Sequence, residues 1–294
     1  MAKIFFPDEL SSRDLHQFIL SSIIPRPIAL VSTIDKNNIA NIAPFSYFNA
    51  ISSLPPILGF SISKKNQLEN KDTLNNIIET NECVINMVNY DMTYNMAMTG
   101  IPFSADTDEF EKSNLSKVKS QIVKPFGITE SPVRFECKLD KLIPFGNETN
   151  QTILVVCKVL CFHIQDELID QDINRIRIDK LDLTGRLGRT NYIKFSSENI
   201  FSIELPHHNI PIGYDSLPQH ILKSKILTAK ELSILASQID LPEQNTINDI
   251  IQNYNIIKIK TSELHNLISK KIQEGLFSDA ISLCFIPEEI IDTK

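Results

Sequence analysis

Asn41-Ile42-Ala43-Pro44-Phe45-Ser46-Tyr47-Phe48-Asn49 is the most informative stretch of the sequence, and Pro25-Arg26-Pro27 comes shortly before it. Its nine residues hold four hydrogen-bonding side chains and three aromatic rings, without a glycine. A half-buried strand alternates apolar and polar residues, but here hydroxyl and amide groups stand directly beside the rings. The mixture suits a ligand with a flat ring system at one end and a polar or anionic tail at the other.

The chain of 294 residues is long enough for one large domain, or for one domain with an appendage. A net charge of −7 disfavours a general affinity for nucleic acid or for an anionic membrane. The first seven residues are too short for a signal peptide, and no apolar stretch approaches the ~20 residues of a membrane span. The sequence therefore predicts a cytoplasmic protein that binds neither nucleic acid nor membrane.

The five cysteines are odd in number and widely scattered, which disfavours a disulfide framework. Cys157 and Cys161 are four residues apart, a spacing that would place both thiols on one face of a helix or a strand. No second Cys/His pair with ligand spacing accompanies them, so buried strand thiols and no metal site are predicted. His163 ends the same strand, and a structural role is favoured over one facing a cofactor.

Strand patterns dominate the first 205 residues, where long helices are few. Residues 11–22 are predicted to form a helix capped by Ser11, and the polar residues 101–131 a surface excursion. The pattern favours a mainly β fold, an antiparallel β-barrel with peripheral helices. Eight glycines without G-x-G-x-x-G spacing disfavour a Rossmann fold. Predicted strands cover residues 28–34, 39–46, 57–63, 83–88, 133–142, 152–164, 192–195 and 201–205.

The composition changes after Pro206-His207-His208, and from Ile212 onward the chain has helical patterns. Thr228-Ala229-Lys230-Glu231 is a capping box ahead of an apolar run. The prediction is a barrel domain over residues 1–205 and a helical extension over residues 206–294. The extension carries no catalytic constellation, which favours a packing or dimer-contact role.

Four fragments of the first part follow one another in order: Pro25-Arg26-Pro27-Ile28-Ala29-Leu30-Val31-Ser32-Thr33, Asn41-Ile42-Ala43-Pro44-Phe45-Ser46-Tyr47-Phe48, Pro55-Pro56-Ile57-Leu58-Gly59-Phe60-Ser61 and Lys71-Asp72-Thr73-Leu74-Asn75-Asn76-Ile77. Residues 82–86, 108–111, 130–136 and 186–189 continue the series. The ordered set resembles the flavin reductase-like family of FMN-binding split barrels, most closely the branch with the reductase component of nitrilotriacetate monooxygenase. The resemblance covers roughly residues 10–205 and omits the last ninety or so.

The resemblance implies a closed or nearly closed barrel that forms a homodimer and binds flavin mononucleotide (FMN) near the subunit interface. It places two residues beside the isoalloxazine or ribityl chain, three in a flavin-contacting loop and three at the phosphate. These are Thr33 and Asn41, then Ser46, Tyr47 and Phe48, then Ser61, Lys71 and Thr73. Pro44, Asp72, Arg26 and Arg186 complete the predicted cofactor site. No catalytic residue and no metal ligand is predicted.

The phosphate assignment also has a physical basis. Thr73 opens a predicted helix, and the N–H groups of a helix amino terminus favour anions. Lys71 adds positive charge, whereas the anionic Asp72 is predicted to cap the helix rather than to touch phosphate. The alternative is that Ser and Thr satisfy backbone groups at strand ends and that the lysine is solvated.

The arginines and the aromatic residues each leave two interpretations open. Arg26 pairs with a flavin carbonyl, with phosphate or with a carboxylate of a second subunit, or else it is a surface or salt-bridged arginine. Arg186 and Arg189 contact flavin or the nicotinamide substrate, or form ordinary ion pairs. Phe45, Tyr47 and Phe48 fill the core by default, and at least one is expected to do so in either case.

The resemblance implies an NAD(P)H-dependent flavin reductase that supplies reduced flavin to oxygen or to a partner monooxygenase. NADH or NADPH would give a hydride to the flavin, so no acid–base residue is required of the protein. Two other classes stay open: a flavin-binding or storage protein without significant turnover, and a partner-binding module whose pocket has decayed. Asn41, Ser46, Ser61 and Lys71-Asp72-Thr73 argue against a decayed pocket.

Overall fold

A computed structural model of the protein describes residues 2–64, 69–104, 106–147, 150–203 and 209–292. The chain divides into two units, Met1–Ile200 and Phe201–Lys294. The boundary predicted between residues 205 and 206 lies among residues outside the described ranges.

The first unit is built mainly from strands. Its strands are β1 (Arg26–Pro27), β2 (Ala29–Ile34), β3 (Ala40–Phe45), β4 (Phe48–Ser53), β5 (Pro56–Ser63), β6 (Glu82–Met87), β7 (Lys117–Val118), β8 (Gly127–Ile128), β9 (Val133–Phe145), β10 (Thr152–Ile164), β11 (Ile169–Asp170), β12 (Arg175–Ile176), β13 (Thr184–Leu187) and β14 (Asn191–Lys194). Its helices are α1 (Ser12–Ser22), α2 (Asp72–Thr80), α3 (Thr93–Met98) and α4 (Glu109–Ser113).

A seven-stranded antiparallel sheet forms the barrel, in the order β3-β2-β6-β9-β10-β5-β4. Strands β3 and β4 lie at opposite edges of this order, yet only Ser46 and Tyr47 separate them in the chain. The two edges must therefore approach one another, and the sheet curls. The N–H of Ser61 on β5 donates to the Tyr47 carbonyl at 2.9 Å across this closure.

The barrel interior is filled by apolar side chains from several strands. Val31, Phe60, Ile62, Ile85 and Val155 are all fully buried there, and α2 packs its buried side chains against it. A second buried cluster includes Ile42 and Phe110. Phe110 stands on α4, inside the segment predicted to be a surface excursion, so that prediction is wrong for α4.

Local signals in the sequence located seven strands within a few residues, namely β2, β3, β5, β6, β9, β10 and β14, whereas β4, β13 and the two-residue strands were not predicted. Ser11 caps α1, since its hydroxyl accepts from the Asp14 N–H. The predicted strand over 201–205 is wrong for residues 201–203, which carry no strand, and residues 204–205 lie outside the described ones.

The second unit is mainly helical. It contains α5 (Gln219–Leu222), α6 (Ala229–Ala236), α7 (Gln244–Asn253), α8 (Thr261–Gln273) and α9 (Phe277–Cys284), with two short parallel strands, β15 (Ile259–Lys260) and β16 (Ile291–Asp292). The predicted capping box at Thr228 and Glu231 is confirmed, with both reciprocal hydrogen bonds present. Leu235, Leu264, Ile268 and Leu283 are central to its own buried core.

Across the described ranges, none of the helices combines the length and the apolar character that crossing a membrane requires.

Candidate functional site

The polar residues predicted to bind a cofactor lie on neighbouring elements of the first unit. Thr33 and Asn41 are directly paired across β2 and β3, and Thr73 stands in the first turn of α2. Since α2 packs on β2 and β3, the three side chains meet although forty residues of chain separate the first from the last.

Their side chains form one hydrogen-bonded network. The Thr73 and Thr33 hydroxyls donate to the Asn41 amide oxygen at 3.0 and 3.3 Å, with the amide orientation assigned from its neighbours. The Asn76 amide donates to the Thr33 hydroxyl at 3.1 Å. Thr33 and Thr73 are only 1% exposed, so each group has exchanged water for a protein partner.

Glu109 closes the network from α4. In the assigned orientation the Asn41 amide donates to Glu109 Oε2 at 3.2 Å, and the Ile42 N–H donates to the same oxygen at 2.7 Å. Burial raises the pKa of the Glu109 carboxyl to about 7, the Ile42 N–H opposes this, and the charges of Asp72 and Asp108 add to it. The site therefore holds a carboxyl group that titrates near neutrality.

The start of α2 differs from the prediction in one respect. Lys71 is the N-cap residue and Asp72 the first helical residue, and the side chain of neither provides a capping hydrogen bond in the part of the chain that the structure describes. The prediction that Asp72 caps α2 is therefore wrong. The first turn has N–H groups without an intrahelical acceptor, and the Lys71 ammonium lies 5.5 Å from the centre of the Phe45 ring. This end of α2 is a place where an anion is favoured.

Aromatic rings border the link between β3 and β4. The rings of Phe45 and Phe60 are 5.3 Å apart, and Phe48 pairs with Phe60 across β4 and β5. Phe45 and Phe60 are buried, whereas Tyr47 is 40% exposed. The expectation that at least one of the three aromatics fills the core is confirmed for Phe45. Pro44 lies on β3 opposite Leu30.

Arg26 is buried and joins three segments through its guanidinium. Nη1 donates to the carbonyls of Leu20 and Ile23 at the end of α1, Nη2 donates to the Gly188 carbonyl at 2.8 Å, and Nε donates to the Ser46 hydroxyl at 3.4 Å. Burial lowers the pKa of Arg26. The nearby Tyr47 raises this pKa, and the positive charge of Arg186 lowers it. The alternative of a surface or salt-bridged arginine is wrong, because Arg26 is 3% exposed and forms no ion pair with a described residue.

Arg186 lies directly opposite Arg26 in the pairing of β1 with β13. Its guanidinium carbon is 4.6 Å from the centre of the Tyr192 ring, and its nitrogens donate to the Tyr192 hydroxyl and the Arg189 carbonyl. Gly188, which lies between Arg186 and Arg189 in the chain, has a φ of +51°, a conformation that favours glycine. Two cationic residues are therefore neighbours across β1 and β13, and Arg26 of the two contacts Ser46.

Sequence reasoning missed two members of this site, Asn76 and Glu109. Asn76 had a usable signal, since it follows Thr73 by three residues on one helix and so shares its face. Glu109 had only a weak one, the Asp108 side chain that caps α4 through the Phe110 N–H. Nothing in the sequence indicates that α4 turns its first residue toward β3.

A family model described as "Flavin reductase like domain" matches residues 20–177 of the chain. The match lies wholly within the first unit.

Solved structures of three bacterial proteins are similar to this chain. Nitrilotriacetate monooxygenase component B from Bacillus cereus is 29% identical with a TM-score of 0.65, over 69% of this chain and 99% of that one. The 2-nitrobenzoate 2-nitroreductase NbaA from Pseudomonas fluorescens is 30% identical with a TM-score of 0.64, over 72% of this chain and 100% of that one. A Shewanella frigidimarina structure with a split barrel domain, 21% identical over 68% of this chain and 95% of that one, shares the fold with a TM-score of 0.57.

The titration of Glu109 generates a stability prediction. Its pKa is about 7 in the folded chain against an ordinary 4.5, so between these two values the unfolded chain ionises first and folding becomes less favourable. Below 4.5 both states are protonated, and above about 7 the full penalty applies. We expect Glu109 to lower the unfolding free energy by about 3 kcal/mol across this window, so the wild-type profile should fall by this amount relative to the profile of Glu109→Gln.

Urea unfolding followed by circular dichroism at a series of pH values measures this difference. Glu111→Gln, at an exposed position of the same helix, is the matched control and should keep the wild-type profile. Parallel pH profiles for Glu109→Gln and the wild type would contradict the assignment.

Proposed function

Because the chain belongs to the flavin reductase-like family and has its split-barrel fold, we propose that it is an FMN-binding NAD(P)H:flavin oxidoreductase. When bound, FMN supplies the redox chemistry, taking a hydride from NADH or NADPH and passing electrons to oxygen or to a partner monooxygenase. The observation that carries the proposal is the start of α2, where the described residues supply no side-chain cap, where Lys71 adds a cation, and where Thr73 joins the helix to the buried polar network.

The residues present fit a flavin phosphate and its polar chain. The N–H groups of the first turn of α2 and the Lys71 ammonium suit the phosphate, and the Ser61 hydroxyl of β5 is proposed as a further phosphate ligand. Thr33 and Asn41 present hydroxyl and amide groups for the polar chain or the ring edge. Asp72 would stand near the phosphate as a repelling charge, so its place is beside the site rather than in it.

The ring system fits the other end of β3. Tyr47 and Phe48 follow this strand, Arg26 donates to the Ser46 hydroxyl, and Arg186 pairs with Arg26 across β1 and β13. Most donors of Arg26 bind backbone carbonyls, so we assign it the role of holding this link in place. Arg186 supplies positive charge to the same end. These residues orient the cofactor and leave the chemistry to it.

A homodimer is part of the proposal, because the edge strand β4, which begins directly after the Ser46–Tyr47 link, and the turn that follows β4 expose large apolar side chains. Leu54 is 92% exposed and Ile51 59%. Burying such side chains stabilises an interface by about 1.5–3 kcal/mol each. A second subunit on this edge would cover the exposed side of the flavin ring.

The protein is proposed to be cytoplasmic. All five cysteines are free thiols, which suits the reducing cytoplasm. The second unit, which the family model does not match, is proposed to serve packing or dimer contact.

A nitro compound as the final electron acceptor is a second candidate, favoured by the 30% identity with the nitroreductase over its full length.

Removing the cation and the hydroxyl at the start of α2 tests the phosphate assignment. We expect Lys71→Ala combined with Thr73→Ala to weaken FMN binding roughly 10- to 100-fold, because a charge-assisted hydrogen bond contributes about 1.5–3 kcal/mol. Quenching of FMN fluorescence measures the affinity, and circular dichroism checks that the barrel is intact. Lys112→Ala, at an exposed position on α4, is the control; unchanged affinity in the double variant would remove the assignment.

Anaerobic stopped-flow absorbance separates a reductase from a storage protein. The FMN-loaded protein is expected to bleach within seconds when mixed with NADH or NADPH, at a rate that rises with nucleotide concentration. A yellow protein that neither nucleotide bleaches would be a flavin-storage protein, and one that takes up no FMN would be a module with a decayed pocket.

Leu54→Asp tests the dimer edge. We expect the wild-type protein to elute as a dimer in size-exclusion chromatography with light scattering, and the variant to shift toward monomer and to bind FMN more weakly. Tyr94→Asp is the matched control, since Tyr94 is 78% exposed and stands on α3 of the first unit rather than on β4. A monomeric wild-type protein, or a Leu54→Asp dimer with full FMN affinity, would contradict this edge as the interface.

A further inference from the structure

We propose that Glu136, Cys161 and His163 form a binding site for a single Zn²⁺ ion. The three ligand atoms, Glu136 Oε1, Cys161 Sγ and His163 Nε2, lie within 4.8 Å of one another. None of these residues belongs to the proposed flavin site, so the inference stands or falls independently of the proposed function.

The pairing of β9 with β10 brings the three side chains together. Cys161 lies opposite Glu136, and His163 lies two residues further along β10, so all three project from the same face of the sheet. A β-bulge makes this possible. Val159 pairs with Cys137 and Cys161 with Glu136, which leaves Leu160 as the extra residue.

The bulge also corrects the prediction that Cys157 and Cys161 share a face. Cys157 points into the barrel core, 3.8 Å from the Cys83 sulfur. Cys161 is displaced to the face of Glu136, and its sulfur lies 3.6 Å from His163 Nε2. Cys161 is also the one cysteine of the five that is not buried. It is therefore the thiol that an ion in solution can reach.

The distances fit tetrahedral zinc. Zinc lies about 2.0 Å from a histidine nitrogen and about 2.3 Å from a thiolate sulfur, which at a tetrahedral angle separates these two ligands by about 3.5 Å. The Cys161–His163 separation is 3.6 Å. Glu136 Oε1 and His163 Nε2 are 2.6 Å apart and would separate by roughly 0.7 Å as the ion replaces the hydrogen between them.

Hydrogen bonds already hold the Glu136 carboxylate in place for binding an ion. The N–H groups of Gln121, Ile122 and Val123 donate to Glu136 at 2.6, 2.6 and 3.0 Å. Such outer hydrogen bonds orient a ligating carboxylate and raise metal affinity. Glu136 itself is fully buried, so it does not need to be ordered when the ion binds.

The ligand set selects the ion by its chemistry. An imidazole, a thiol and one carboxylate suit zinc and disfavour magnesium and calcium, which prefer oxygen ligands. On binding, the Cys161 S–H bond breaks, its proton leaves to solvent and a Zn–S bond forms. The neutral His163 imidazole gives up its hydrogen at Nε2 and takes one up at Nδ1, so that Nε2 is free to bind zinc. One proton is released in total, and thiolate and carboxylate balance the 2+ charge. Arg134, opposite His163 on β9, donates to the Ile128 carbonyl at 3.0 Å; its charge lowers the affinity without occupying the site.

Zinc and cobalt titrations of the full chain test the site. We expect one Zn²⁺ per chain in competition with a chromophoric chelator, and a thiolate-to-metal absorption band when Co²⁺ is the probe. Cys161→Ser and His163→Gln should each weaken zinc binding by on the order of 100-fold, and Cys161→Ser should abolish the cobalt band.

His207→Gln with His208→Gln is the control, since two adjacent histidines also attract zinc, and it should keep wild-type affinity. The proposal is overturned if the wild type binds no zinc, or if Cys161→Ser binds it as tightly as the wild type. Should the variants fail to fold, alkylation of the wild type decides. Saturating zinc is expected to slow modification of Cys161 by iodoacetamide at least tenfold, and an unchanged rate would overturn the site.

Discussion

The two-residue link Ser46–Tyr47 is the constraint on which the rest of the barrel depends. It connects β3 and β4, the opposite edges of a seven-stranded sheet, so the sheet has to close at this point. Closure brings the Phe45 and Phe60 rings together and sets the Ser46 hydroxyl over the buried guanidinium of Arg26. The same link thus shapes the barrel and places exposed Tyr47 at its rim. A ligand that stacks there uses a surface the fold already requires.

A buried polar network beside this closure costs stability unless every member has a partner, at about 1–3 kcal/mol for each group left alone. The network is complete: across the described ranges, buried side-chain nitrogen and oxygen atoms all have hydrogen-bond partners. Thr33, Asn41 and Thr73 satisfy one another, which is why they can be both buried and polar. A pre-ordered set of hydroxyls and amides needs little rearrangement to accept a ligand in place of one internal partner.

How much the sequence predicts depends on whether the signal is local. Local patterns such as the Ser11 cap and the Thr228 capping box were predicted correctly. The motifs from Pro25 to Thr73 follow one another in the order that the family shows, and this order led to the right fold. Asp72 shows the limit within one turn, because the helix starts one residue earlier than its capping preference suggests. Glu109 and the Leu160 bulge show the limit over distance. Neither the direction of α4 nor the extra residue in β10 produces a periodic pattern in the sequence. Each nevertheless determines which side chains come into contact.

Glu109 and Glu136 show how one residue type takes opposite roles in the same barrel. Burial disfavours the charge of both carboxylates, and the number of donors then decides the outcome. Glu109 has one backbone N–H, from Ile42, and two acidic neighbours, so its pKa rises to about 7. Glu136 has three backbone N–H groups and His163, and these overcome burial and lower its pKa. One carboxyl can therefore take up or release a proton near neutrality beside the network of Thr33, Asn41 and Thr73. The other stays charged, and that fixed charge is what a cation requires.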